Sequence, residues 1–169
     1  MATVSKLYSY DFKTAKTYLF ALLFVAGNLI LPQLAHLIPQ GGLMFLPIYF
    51  FTLIAAYKYG LRVGLLTALL SPVINSLLFG MPPVAVLPLI LVKSTLLATA
   101  AALLARQFGK VSLPAILLSI LAYQVVGTAI EWIVLQDFNA AIQDFRIGFP
   151  GMLIQLVGGF ALLKVIEKR

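Results

Sequence analysis

The sequence has no cysteine, one histidine and five acidic side chains among its 169 residues. The absence of cysteine excludes disulfide-stabilised scaffolds and zinc modules built on thiolate ligands. Charged residues make up only 10% of the chain, against about a quarter in soluble domains. Hydrophobic residues make up 62%, which excludes disorder and predicts a protein that uses the lipid bilayer as its solvent. Because groups that transfer protons are so scarce, we expect no enzyme activity.

Long apolar runs predict an all-α membrane protein, a bundle of about six transmembrane helices forming one domain over residues 1–169. A transmembrane helix needs about 20 mostly apolar residues, and the gaps between these runs carry glycine, proline and polar residues typical of connections. The second run is short and contains Pro47, so a tilted, broken or partly re-entrant segment is also compatible with it. The predicted helices cover residues 14–37, 43–57, 61–79, 84–105, 113–135 and 150–166.

The basic residues predict the orientation, because lysine and arginine in short loops are retained on the cytoplasmic side. Ten of the 12 basic residues fall on one side of the predicted bundle. We therefore expect both termini in the cytoplasm, an uncleaved first helix and a location in the cytoplasmic membrane of a bacterium. No contiguous basic patch is present, so we expect no nucleic acid as a partner. The ten residues are Lys6, Lys13, Lys16, Lys58, Arg62, Arg106, Lys110, Lys164, Lys168 and Arg169.

Polar residues inside the predicted spans are concentrated in their outer halves. Lys93 is the most expensive of them, since a lysine at a span centre costs about 2.5–3.5 kcal/mol to insert. Gln124, Thr128 and Glu131 follow the i, i+4, i+7 spacing of one helix face. The inner halves of the same helices carry small and aliphatic residues. This asymmetry predicts a polar pocket that opens to the outside and is sealed toward the cytoplasm.

Both ligand-binding and purely structural interpretations of these residues remain open. Lys93 either contacts a ligand, or snorkels to the interface, or forms a structural ion pair, with Glu131 as its candidate partner. Neutral polar side chains in membrane helices often only hold helices together, and Trp132 is equally typical of an interfacial belt. His36, in the first outer loop, is either solvated or in contact with the ligand. The candidate substrate-binding residues are Lys93, Asn75, Tyr123, Gln124, Thr128, Glu131, Trp132, Gln155 and His36.

Motifs for catalysis and nucleotide hydrolysis are missing from the sequence. It contains no HExxH, no GxSxG, no close carboxylate pair and no metal-binding cluster, so we expect neither a metal nor another cofactor. It also contains no Walker A sequence. If the protein takes part in ATP-driven transport, a separate subunit must supply the energy.

Small residues at four-residue spacing form rows along two predicted helices, where backbones could approach closely. Gly60, Gly64 and Ala68 form one row, and Thr17 and Ala21 form another. These five residues are the candidate interface with a partner subunit. Packing among the helices of this chain is the alternative interpretation.

The segments YGLRVGLLTA (residues 59–68) and SPVINSLLFGMPP (residues 71–83) resemble the third helix and following loop of the substrate-binding S-components of energy-coupling factor (ECF) vitamin transporters. Length, helix number and short loops are similar over nearly the whole chain. The resemblance implies a membrane-embedded protein that captures a vitamin or vitamin precursor in an outward pocket. It also implies a transmembrane coupling subunit and two ATPase subunits as partners. Thr17-xxx-Ala21 takes the place of the family's alanine-xxx-alanine pair, which faces the coupling subunit.

The side chains of the predicted pocket favour a flat, polar, vitamin-like small molecule, with pyridoxine-like and hydroxymethylpyrimidine-like ligands as first candidates. Lys93 would suit a carboxylate or phosphate and Glu131 a ring nitrogen or ammonium. Three other classes remain: a structural membrane subunit of the cell-shape or cell-wall machinery, a stand-alone secondary transporter and an intramembrane enzyme. A secondary transporter usually shows an internal repeat and more midplane carboxylates, and neither is visible in the sequence.

Overall fold

The computed structural model describes residues 7–167, which form nine α-helices and one 3-10 turn with no β-strand among them. Lys6, Lys168 and Arg169, which contribute to the predicted orientation, lie outside the described residues. The all-α fold class is therefore confirmed. The helices are α1 (Ala15–Ala35), α2 (Gly41–Phe45), α3 (Phe50–Tyr59), α4 (Leu61–Phe79), α5 (Leu87–Phe108), α6 (Leu113–Leu135), α7 (Phe138–Ala141), α8 (Gln143–Arg146) and α9 (Phe149–Glu167), and the 3-10 turn is Pro47–Tyr49.

Five helices are long and apolar enough to span a membrane, and the protein is accordingly a membrane protein: α1, α4, α5, α6 and α9. The bounds of α4 and α6 coincide with the predicted ones. Left-handed Gly80 follows α4, and the Ser112 hydroxyl caps α6 by accepting a hydrogen bond from the backbone N–H of Ala115. Both are local signals that end or begin a helix.

The second predicted span is broken, one of the three forms left open for it. Its continuous helix is α3, whose ten residues cover only about 15 Å at 1.5 Å per residue. Leu46 adopts a left-handed conformation (φ 47°) directly before Pro47, and this pair separates α2 from the 3-10 turn. Proline has no N–H to continue the preceding helix, which accounts for the break at this point.

Helix α3 is the centre of the bundle. All seven residues from 52 to 58 are buried, and α3 packs against α1, α4, α5 and α9. The large exposed side chains lie on the surrounding long helices, where they form an apolar surface suited to lipid. Examples are Leu19, Leu22, Leu77, Val125, Ile133 and Val157.

The small-residue rows pack mainly inside the chain, in agreement with the alternative interpretation of packing among its own helices, and their contact with a partner stays a prediction. A Cβ on Gly64 would lie 2.4 Å from the Cβ of Ala56, so α3 and α4 touch at this glycine. Thr17, Ala21 and Ala68 are each no more than 2% exposed. Gly60 is half-buried, and its missing side chain leaves room for the backbone of residues 8 and 9.

The polar stretch between α6 and α9, expected to be a loop, forms the short helices α7 and α8. The Asp137 carboxylate begins α7 by accepting a hydrogen bond from the backbone N–H of Ala140 at 3.2 Å. Gly148 and Gly151 then let the segment around Leu46 approach closely, since a Cβ on either would lie within 3 Å of it. This packing brings α2 and α8 to the same end of the bundle as the first turns of α5.

Candidate functional site

Lys93 is the centre of a buried ionic cluster that joins three helices. Its ammonium Nζ lies 2.5 Å from Glu131 Oε2 on α6 and 2.8 Å from Asp144 Oδ2 on α8. The stem of Lys93 passes over Gly127, where a Cβ would lie 2.6 Å from Lys93 Cγ. Glycine at position 127 therefore leaves room for the lysine stem in this position. Of the alternatives left open for Lys93, the geometry shows the ion pair with Glu131 and adds Asp144 as a second partner.

The three charged side chains are largely withdrawn from solvent. Side-chain exposure is 5% for Lys93, 19% for Glu131 and 16% for Asp144. One ammonium faces two carboxylates, so the ionised cluster carries one uncompensated negative charge. Such a charge interacts strongly with any group that enters, because the surroundings have a low dielectric constant.

The ionic cluster lines a cavity of about 160 Å³, which we call the ionic cavity. Its remaining walls are mostly aliphatic and are contributed by α2, the 3-10 turn and the first turns of α5. The ring of Tyr49 also lines it. The lining residues are Gly42, Leu43, Leu46, Ile48, Tyr49, Val86, Leu89, Ile90, Lys93, Glu131, Gln143 and Asp144.

A second cavity of about 240 Å³, the apolar cavity, lies on the other side of a shared wall. His36 belongs to it, and its imidazole packs where a side chain on Gly42 would otherwise sit. Five residues line both cavities: Gly42, Leu43, Ile48, Val86 and Ile90. Lining residues that belong to the apolar cavity alone are Pro32, His36, Gln40, Pro47, Met81, Pro82 and Pro83.

Tyr123, Gln124 and Gln155 form a separate, fully buried hydrogen-bonded group beneath the ionic cavity. The Tyr123 hydroxyl donates to Gln155 Oε1 and accepts from Gln124 Nε2, each at 3.0 Å. Tyr49, which lines the cavity, has its ring centroid 5.2 Å from that of Tyr123. Gln124 Oε1 and Gln155 Nε2 have no hydrogen-bond partner within the described chain. These three predicted residues therefore come together but do not line the ionic cavity.

Asn75 lies in a different place from the other predicted binding residues. Its amide Nδ2 donates to the backbone carbonyl of Asn28 on α1, at 2.8 Å. The Asn28 amide in turn donates to Thr52 Oγ1 and Ser71 Oγ and accepts from the Phe51 N–H. We call Asn28, Thr52, Ser71 and Asn75 the neutral cluster. It joins α1, α3 and α4 and shares no residue with either cavity.

Two further predicted residues lie outside the ionic cavity. Trp132 is 51% exposed and contacts Phe138 edge-to-face, as expected for the interfacial interpretation. Thr128 is half-buried, and its hydroxyl has no partner in the described residues. Of the nine predicted binding residues, Lys93 and Glu131 line the ionic cavity and His36 lines the apolar one.

Asp144 and Tyr49 are the residues that sequence reasoning missed. Asp144 stands in the one long polar stretch of the chain, and its distance of 51 positions from Lys93 hid the contact. The available signal was the charge balance, because a buried lysine needs an acidic partner and the chain has only five acids. Tyr49 lies two residues after Pro47. Because the helix is interrupted there, the direction of the Tyr49 side chain could not be read from helical spacing.

The opposite end of the bundle is closed by tight packing. Ala101, Ala105, Ile116 and Ile120 are each at most 2% exposed there, and the Tyr57 hydroxyl donates to the Lys110 carbonyl oxygen at 2.8 Å. The site is therefore one-ended, with a charged cavity near the start of α5 and a sealed core below. The chain matches no protein-family model, no curated protein and no solved structure.

Proposed function

We propose that this protein is the substrate-capture subunit, or S-component, of an ATP-driven ECF-type importer for a vitamin or vitamin precursor. The observation that carries the proposal is a buried ionic cluster on the wall of a cavity at one end of an otherwise apolar bundle. Buried charges in a membrane protein are costly, and a cavity beside them offers a place for a small polar ligand. The resemblance of residues 59–68 and 71–83 to S-components supports the same assignment.

The proposal includes six membrane crossings with both termini in the cytoplasm of a bacterium. Five crossings are the long helices, and the remaining one, second along the chain, consists of α2, the 3-10 turn and α3 taken together. Seven of the ten basic residues that predict the orientation lie within residues 7–167, all near the end opposite the ionic cavity. The ionic cavity then faces outward, where an importer meets its substrate.

Cysteine labelling tests this orientation directly, because the natural chain has no cysteine to interfere. Gln40 and Asn139 are exposed near the cavity end, and Gln107 and Lys110 are exposed at the other end. We expect an impermeant thiol reagent applied to intact cells to label cysteines at the first two positions only. Labelling of the second pair alone would reverse the orientation and place the cavity inside.

Capture and release are separate tasks in this proposal. The ionic cavity binds the substrate from outside, and the sealed core prevents passage through the isolated chain. Because the sequence has no Walker A motif, two ATPase subunits and a transmembrane coupling subunit supply the energy and the conformational change that releases the substrate inside. Four of the five small residues proposed for this contact are buried in the chain and Gly60 is half-buried, so we expect the coupling subunit to dock mainly on other residues.

Co-purification tests the proposed function. We expect the tagged chain, extracted from membranes of its own cells in a mild detergent, to bring down one polytopic membrane protein and two ATPase chains. Vesicles containing that complex should accumulate the substrate only when ATP is supplied to the ATPase side. Recovery of cell-wall synthesis proteins instead, or accumulation driven by an ion gradient without ATPases, would contradict the proposal.

A further inference from the structure

We propose that the ionic cavity takes a small organic cation with an apolar ring or chain. The positive group of the ligand meets Glu131 and Asp144, and its apolar part lies against the wall shared with the apolar cavity. This inference rests on the proposed function, since it names the substrate class of the same site. It reverses the earlier assignment of Lys93 to a ligand carboxylate or phosphate.

The charge of the cluster is the first argument. Lys93 is already within 2.8 Å of both carboxylates, so an anionic ligand would have to displace one of them into a largely apolar cavity. A cationic ligand needs no such displacement, because it supplies the charge that balances the second carboxylate. Leaving a buried charge without a partner costs far more than pairing it.

The apolar lining is the second argument, and it favours an organic ligand over a metal ion. Six of the twelve lining residues are aliphatic, and Tyr49 adds an aromatic side chain to the same lining as the two carboxylates. An aromatic ring near a cation favours its binding. Within residues 7–167, no three acidic or histidine side chains lie together in a group that could hold a metal ion. Hard metal ions need about six oxygen ligands, which this lining does not provide.

The neighbouring apolar cavity is the third argument. Leu43, Ile48 and Ile90 separate it from the ionic cavity, so a ligand held by its cationic end directs the rest of its surface toward flexible aliphatic side chains. The His36 imidazole lines the apolar cavity beyond these residues. An amphipathic ligand therefore matches both halves of the site, whereas a compact, fully polar one matches only the first.

Three probes of nearly equal shape test the ligand class: 2-phenylethylamine, 2-phenylethanol and 3-phenylpropionate. Binding to the purified full chain in detergent is measured by isothermal titration at neutral pH and constant ionic strength. We expect the amine to bind at least about tenfold more tightly than the alcohol or the acid, which corresponds to about 1.4 kcal/mol. Equal binding of all three, tighter binding of the acid, or no binding of the amine would overturn the inference.

Matched variants assign the binding to the cluster. Glu131→Gln and Asp144→Asn each remove one negative charge, and we expect each to weaken amine binding at least about tenfold. Asp137→Asn is the control, because it removes the same charge from a neighbouring exposed residue and asparagine also caps helices. Melting curves without probe identify any variant that is unfolded, and the other acid then carries the test. Weakening by Asp137→Asn as large as that by Asp144→Asn would show mere long-range attraction and overturn the assignment.

The test of the ligand class and the test of the importer function can fail independently of each other. Selective amine binding without any coupling or ATPase subunit in the co-purification would contradict the importer and leave the ligand class standing. ATP-dependent accumulation of an anionic substrate would do the opposite. Stabilisation by sodium over N-methylglucamine, with no discrimination among the probes, would assign the cluster to a metal ion and overturn the inference.

Discussion

The ionic cluster and the neutral cluster are two solutions to the same difficulty, polar side chains inside an apolar bundle. In the neutral cluster, the Asn28 amide makes three side-chain hydrogen bonds to α3 and α4, and no residue of the cluster lines either cavity. In the ionic cluster, one lysine serves two carboxylates, and a cavity adjoins all three. Asn75 Oδ1 has no hydrogen-bond partner in the described residues, but the cluster carries no net charge. Neutral side chains that hydrogen-bond to one another act as structural links, whereas an unbalanced charge beside a cavity indicates a site for a ligand.

Replacement of Lys93 is expected to have the largest effect of the variants considered. Lys93→Met leaves Glu131 and Asp144 as two buried like charges without a counter-charge. We expect the unliganded protein to lose about 3 kcal/mol of stability, within the range measured when one partner of a buried ion pair is removed. The measurement is the melting temperature of the detergent-solubilised chain.

The double variant Lys93→Met/Glu131→Gln provides the control for this prediction. Removal of one carboxylate should restore part of the lost stability, because it removes the repulsion between the two acids. An unchanged melting temperature in Lys93→Met would contradict the ion-paired cluster and return Lys93 to the role of an unpaired ligand contact.

The neutral cluster should respond in stability alone. Asn28→Ala removes its contacts with Thr52 and Ser71 and leaves the Phe51 N–H without its acceptor. Interhelical hydrogen bonds in membranes contribute about 0.6 kcal/mol each, so we expect a loss of about 1–2 kcal/mol in thermal or denaturant unfolding. Amine binding should be unchanged. A tenfold loss of affinity in this variant would erase the distinction between the two clusters.

Gly127→Ala is expected to have the smallest effect. It tests whether the path of the Lys93 side chain matters for the ionic cluster. The added methyl group would lie 2.6 Å from Lys93 Cγ, so the lysine has to shift and its distances to both carboxylates lengthen. We expect amine affinity to change two- to fivefold, measured by titration, with about 1 kcal/mol lost in stability.

Gly158→Ala is the matched control on α9. Its added methyl group meets Phe50 at 3.4 Å, an ordinary contact, so this variant should bind normally and be as stable as the natural chain or slightly more stable. Equal behaviour of the two variants would mean that the path of Lys93 over α6 does not matter for the site.

Local signals explain which parts of the fold were predictable. The ends of α4 and α6 are marked by Gly80 and by Ser112 with Pro114, so their bounds follow from the sequence. The broken second segment depends on how α3 packs among four neighbours. The small-residue row of Gly64 has the same spacing whether it faces a partner or Ala56, and only the tertiary structure distinguishes the two.

The candidate site was predictable in part for the same reason. Lys93 and Glu131 stand out because charges inside apolar helices are costly wherever they point. Asp144 depends on the fold of α7 and α8, a nonlocal arrangement without periodicity. Asn75 and Gln124 are polar residues of a type that often binds ligands. In the structure, each belongs to a hydrogen-bonded group within the bundle. Polar residues in the sequence therefore indicated where the buried polar regions lie. They did not distinguish residues that join helices from residues that line a binding site.

Native mass spectrometry of the protein purified from its own cells tests the central claim most directly. The account predicts one small molecule bound per chain, with a fixed positive charge or a basic nitrogen, that is retained in Asn28→Ala and lost in Glu131→Gln. A chain that carries no small molecule under conditions that keep it folded, or one whose ligand is retained equally in Glu131→Gln, would contradict it.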